Sequence, residues 1–140
     1  MGTTFHTIGC CIDHGPAWRA IVDEGVRLAG GDGRVVRLVH VLLVPPPLRA
    51  GPYTYVEPPE VAHADEERWL GERVAAVPGA AGVLLEGDPA RAICAWAAES
   101  GADLLIVAPH RGPLDRAVHG SLARAIALHA PCPVLVLRPA

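Results

Sequence analysis

The sequence predicts an α/β fold, an open parallel sheet with helices on both faces. Three observations predict it. Apolar and β-branched runs alternate with helix-period segments along the whole chain. Within 102–108 the stretch LLIVA carries no polar residue, as a strand buried on both faces requires. Turn and cap residues separate the runs: Asp13-His14-Gly15, Gly30-Gly31 and Glu86-Gly87-Asp88-Pro89. Strict alternation of strand and helix implies parallel strands joined by right-handed crossovers.

The elements follow in order. Residues 4–12 read as a buried first strand. Pro16 fits the first turn of a helix whose inner stripe is Ala17, Ile21, Glu24/Gly25 and Leu28, and Gly30-Gly31 stops it. Residues 34–41 (RVVRLVHV) form a second strand. Prolines 45, 46, 47, 52, 58 and 59 then forbid a long helix or central strand over 42–59, which reads as an extended surface connection. A second helix covers 60–77, with Leu70, Val74 and Val77 as its stripe and Asp65, Glu66 and Glu67 on its wet side or first turn.

The third strand is 81–85. Asp88 suits an N-cap and Pro89 the first helical position. Ile93, Trp96, Ala97 and Ser100 then repeat on one helical face, so Trp96 reads as core. The fourth strand is 102–108, with Asp103 at its start. Residues 109–120 read as a loop. Ser121 suits the cap of a fourth helix running to about His129, with Leu122, Ala125 and Ile126 facing inward. Pro131-Cys132-Pro133 breaks the chain before a short last strand, 134–137.

Length and composition agree. A chain of 140 residues is the size of one domain, and no internal repeat or linker divides it, so 1–140 is read as one unit. Such a chain buries about 68% of its unfolded surface. Apolar residues make up 51% and charged residues 19%, which excludes a disordered tail. The net charge of -3 argues against a nucleic-acid binder. Neither a signal peptide nor an apolar run long enough for a membrane span is present, so a cytoplasmic location is expected.

Absences narrow the chemistry. All 12 basic residues are Arg, and Lys, Asn and Gln do not occur. Without Lys there is no Walker A loop, Schiff base or kinase strand lysine. The two serines, Ser100 and Ser121, lie in no GxSxG elbow. No nucleophile–base pair is visible by spacing, so no catalytic residue is named and the chain is expected not to be an enzyme. Cys10, Cys11, Cys94 and Cys132 make no CxxC motif and read as free thiols.

Ligands of an open α/β sheet bind beyond the carboxyl ends of strands, where strand order reverses. Two loops carry polar groups at such ends. After the first strand, Asp13 can accept hydrogen bonds from an amine or ribose hydroxyl, or favour the following helix N-terminus. After the fourth, Gly112, Gly120 and Ser121 offer backbone amides to an anion, or form an ordinary glycine turn and cap. His14, His110 and His119 lie on the same two loops, with His40 late in the second strand. No HxH or HExxH spacing occurs. The sequence therefore requires no metal, and any convergence of histidines would come from the fold alone.

Three blocks together resemble the universal stress protein family: IDHGPAWRAIVDEGVRLA, LLEGDPARAICAWAAESGADLLIV and HRGPLDRAVHGSLARAIALHAPCPVLVLRP. The resemblance covers nearly the whole chain apart from 42–59. It implies a five-stranded parallel sheet in the order 3-2-1-4-5, with the switch point between strands one and four. It implies an adenine nucleotide such as ATP, with adenine and ribose against Cys11, Ile12, Asp13 and Val41. The phosphates would lie on Arg111, Gly112, Gly120, Ser121 and Leu122. The family's phosphate loop follows G-x2-G-x9-G-[S/T], and this sequence departs from it twice. Pro109 replaces the first glycine, and seven residues, not nine, separate Gly112 from Gly120.

Two readings follow. One is an adenine-nucleotide-binding module with a regulatory role in stress response, favoured by Asp13 and Gly120-Ser121. The other is a homodimeric interaction protein with a degenerate phosphate loop, favoured by Pro109 and the shortened loop. In either case Val134, Leu135, Val136 and Leu137 form an apolar edge strand suited to pairing with a second copy, a mode the resemblance also implies.

Overall fold

The computed structural model describes residues 4–42, 59–109 and 120–138. Five strands, β1 (Ile8–Cys11), β2 (Val36–Leu42), β3 (Ala81–Glu86), β4 (Leu104–Val107) and β5 (Val134–Val136), form one sheet in the order β3-β2-β1-β4-β5. Every pairing is parallel. Four helices connect or follow the strands: α1 (Trp18–Leu28), α2 (Pro59–Ala75), α3 (Pro89–Ser100) and α4 (Gly120–His129). The alternation is that expected from the sequence, and the strand order is the one the resemblance implies.

Strand periodicity sorts the core into two layers. Ile8, Cys10, Ile12, Val36, Leu38 and Ile106 point to the face covered by Ile21 and Val22 of α1 and Leu70 of α2. Val39, Leu105 and Val107 point to the opposite face, against Ile93 and Ala97 of α3 and Ile126 of α4. Residues 104–107 are buried throughout, as an uninterrupted apolar strand should be.

Several boundaries differ from the expected ones, each for a local reason. β1 begins at Ile8, not residue 4: the amides of His6 and Thr7 donate to the Asp103 carboxylate at 2.8 and 3.0 Å rather than to a neighbouring strand. α1 begins at Trp18, two residues after Pro16. Ala17 holds its N-cap position, with no side-chain cap. β2 begins at Val36 because Asp32 accepts from the Arg34 amide and winds residues 33–35 into a short 3-10 turn. The fourth strand is cut to 104–107 and the fifth to 134–136, although the Leu137 amide still donates to the Val107 carbonyl at 2.7 Å. α4 already includes Gly120, so Ser121 lies inside its first turn rather than at its cap.

Other terminators are as expected. Gly30 and Gly31 take left-handed backbone at φ 65° and 84° after α1, and the Gly31 amide closes on the Val26 carbonyl at 2.9 Å. Asp88 caps α3 by accepting from the Arg91 amide at 3.0 Å, with Pro89 opening the helix. Trp96 packs against the second core layer as expected, whereas Ser100, the last position of the anticipated stripe, is exposed. All but the first and last residues of the proline-rich 42–59 lie outside the described residues, as does 110–119.

Candidate functional site

The switch point lies between β1 and β4, parallel neighbours whose following connections lead to opposite edges of the sheet. At the carboxyl end of β1 the expected nucleotide residues separate by face. Cys11 and Val41 are half-buried against the α3/α4 layer, where Leu122 of α4 also packs. Ile12 belongs to the opposite layer, 4% exposed, and its amide donates to the Val39 carbonyl at 2.9 Å. Asp13 sits just beyond, and its Oδ1 accepts from the Gly15 amide at 2.7 Å. This is the tight turn an aspartate makes two residues ahead of itself. Gly120 supplies the start of α4. Arg111 and Gly112 lie outside the described residues, which end at Pro109 and resume at Gly120.

Burial disfavours the ionised form of all four thiols. Burial pushes Cys10 up to about 12, and burial likewise raises Cys11, Cys94 and Cys132. All four are free. Each is held toward its neutral thiol form.

On the α1/α2 face, the same strand ends carry a cluster of polar side chains that sequence reasoning missed. β1 pairs with β2 up to Cys11–Val39, which sets His40 beside Ile12. His40 is 4% exposed, the one buried polar residue among the described residues. Its Nδ1 lies 3.0 Å from the Ile12 carbonyl oxygen and its Nε2 lies 2.7 Å from Glu66 Oε2. His14, from the turn after β1, brings its Nε2 to 2.8 Å from the same oxygen and 3.1 Å from Oε1. Trp69 packs on both imidazoles, with ring centres 4.2 Å from His14 and 4.6 Å from His40.

Helix α2 delivers this group because Glu66, Trp69, Leu70 and Arg73 fall at i, i+3, i+4 and i+7 on one face. Leu70 seats the helix on the core, Glu66 reaches the two histidines, and the Arg73 guanidinium lies 4.6 Å from the Trp69 ring centre and 5.2 Å from that of Trp18. Glu66 is therefore not on the wet side of the helix. Burial alone would raise its carboxyl, but hydrogen bonds and charge from His14 and His40 outweigh that and hold it below the usual glutamate range. The missed signal was periodicity: Glu66 lies four residues before Leu70, on the stripe already assigned to the core.

A separate groove of about 310 Å³ lies between α1 and α2, lined by Trp18, Val22, Arg73 and Val77 and reaching Gly33 and Pro78. Gly33 and Pro78 precede β2 and β3, so the groove reaches the amino ends of the strands.

No functionally curated protein is significantly similar to the chain. Solved structures are similar across its length. A universal stress protein family member from Burkholderia pseudomallei superposes with a TM-score of 0.68 at 23% identity, covering 99% of this chain and 100% of that one. A family protein from Arabidopsis thaliana with AMP bound gives 0.61 at 15% identity, over 96% of this chain and 92% of that one. The universal stress protein from Archaeoglobus fulgidus in complex with dAMP gives 0.57 at 19% identity, over 94% and 97%. At these identities the likeness establishes the fold. The sequence model of the family goes further, matching residues 4–138, and by that match the chain belongs to the universal stress protein family.

Proposed function

We propose that this protein is an adenine-nucleotide-binding module whose occupancy regulates an interaction with a protein partner, and that it is not an enzyme. The observation that carries the reading is the family match over residues 4–138, which spans both ends of the switch-point crevice. Relatives of the same fold hold AMP and dAMP. In this reading adenine and ribose lie against Cys11, Ile12, Asp13 and Val41, and the phosphates lie against Arg111, Gly112, Gly120, Ser121 and Leu122. The ligand class is adenine nucleotide. Pro109 offers no N–H and the Gly112–Gly120 stretch is short, so the monophosphate is favoured over ATP. The second reading, a homodimeric interaction protein without nucleotide, is favoured by the same two departures. In either reading the chain pairs with a second copy through β5.

The test is nucleotide content and affinity. Anion-exchange chromatography of the supernatant from denatured, purified protein should release an adenine nucleotide, and AMP should bind more tightly than ATP in calorimetry. Asp13→Ala should weaken binding by about 1.5–3 kcal/mol, the value of a charge-assisted hydrogen bond, without unfolding the protein. An empty protein that shows no thermal shift in millimolar AMP or ATP supports the second reading.

A further inference from the structure

The cluster at the α2 side of the strand ends has a chemistry of its own. A carbonyl oxygen only accepts, so the 3.0 Å contact to Ile12 fixes the proton of His40 on Nδ1. In the neutral ring Nε2 is then a lone pair, and it points at a carboxylate oxygen 2.7 Å away. Either a proton or a metal ion between them would join the two. His14 Nε2 reaches the same oxygen from another side at 2.8 Å, and the three donor atoms lie within 4.8 Å of one another. A single divalent ion would satisfy all three at once.

We propose that His14, His40 and Glu66 form a binding site for a divalent cation of the zinc class. Two imidazoles and one carboxylate are one of the donor sets of three-ligand zinc sites. Magnesium and calcium demand an oxygen shell that these residues do not offer. The surroundings match those of a built site. The Nδ1–H of His40 is held by a backbone carbonyl, the support that orients metal-ligating histidines, and Ile12 is itself held by the hydrogen bond its amide donates to the Val39 carbonyl. Trp69 walls the two rings on one side. The His14 side chain is 55% exposed, so the fourth position faces water or an incoming ligand.

The site does not rest on nucleotide binding. None of its residues is a proposed nucleotide contact, although His14 follows Asp13 and His40 precedes Val41. The alternative occupant is a proton, with His40 an imidazolium in a simple ion-pair network.

The deciding experiment uses the nucleotide-free, full-length reduced protein, with zinc titrated in competition with a chromophoric chelator. One ion per chain is expected. His14→Ala and Glu66→Gln should each weaken binding by at least the about 10–100-fold that losses around a metal site cost. Cobalt in place of zinc should give the strong visible absorption of a four-coordinate nitrogen–oxygen site. Failure of wild type to compete with the chelator overturns the proposal. So does unchanged affinity in both variants, or a cobalt–thiolate charge-transfer band that assigns the ion to the cysteines. His14 is exposed, so His14→Ala tests the site even if the Glu66 variant is unstable.

Discussion

Asp103 joins two distant stretches of chain through two amide hydrogen bonds, those of His6 and Thr7. Burial pushes its carboxyl up, but the amides of His6, Thr7 and Asp103 itself, with the nearby His6 side chain, outweigh this and leave it below the usual aspartate range. A carboxylate with a lowered folded value contributes stability that is complete above the unfolded pKa of about 3.9 and is lost as pH falls through the folded value. Thermal melts below about pH 4 should therefore lose stability steadily, and Asp103→Asn should flatten that slope. At neutral pH Asp103→Ala should cost about 1–3 kcal/mol, because the Thr7 amide is partly buried. Equal pH slopes for wild type and the Asn variant would remove Asp103 from this role. The same scale shows what sequence could not supply. His14, His40 and Glu66 are ordinary surface-type residues by spacing, 26 and 52 positions apart from Glu66 backward. Only the β1–β2 register and the seating of α2 bring them into contact.

At the level of elements, the legible features were those with a local cause. The Asp88-Pro89 start, the Gly30-Gly31 stop and the buried run 104–107 each follow from backbone chemistry written in a few adjacent residues. Strand ends were less legible, since whether residues 4–7 join a ladder depends on a carboxylate near residue 103. Gly25 illustrates a tertiary demand inside a helix. It is buried in α1, and a β-carbon there would collide with the Cys10 sulfur across the helix–sheet contact. Helix propensity alone favours Gly25→Ala by about 1 kcal/mol. The collision should reverse the sign, giving a net loss of about 1–3 kcal/mol as in other overpacked cores. Cys10→Ala should recover part of that loss in the double variant, and urea titration of the four proteins measures the coupling. Additive single effects would place the cost elsewhere.

For the whole molecule, the sheet order leaves β3 and β5 as edges. β5 pairs with β4 on one side, and Val136 is 42% exposed. An apolar edge of this kind invites pairing with another strand. Two copies joined antiparallel along Val134, Leu135, Val136 and Leu137 would satisfy both edges around a two-fold axis. Sedimentation equilibrium should show a dimer at micromolar concentration and a monomer for the double variant Leu135→Arg, Leu137→Glu. A monomeric wild type, or a dimeric variant, would rule out this interface. The central position of β1 has a different consequence, in time rather than space. Its one neighbour, β2, begins 28 residues after it, but the other, β4, begins 96 residues after it. During synthesis β1, β2 and β3 can associate while one side of β1 still has no partner. Until residues 104–106 emerge, that open backbone edge stands ready to pair with any passing strand. The chain is therefore most exposed to misassembly after β3 has emerged and before β4 has.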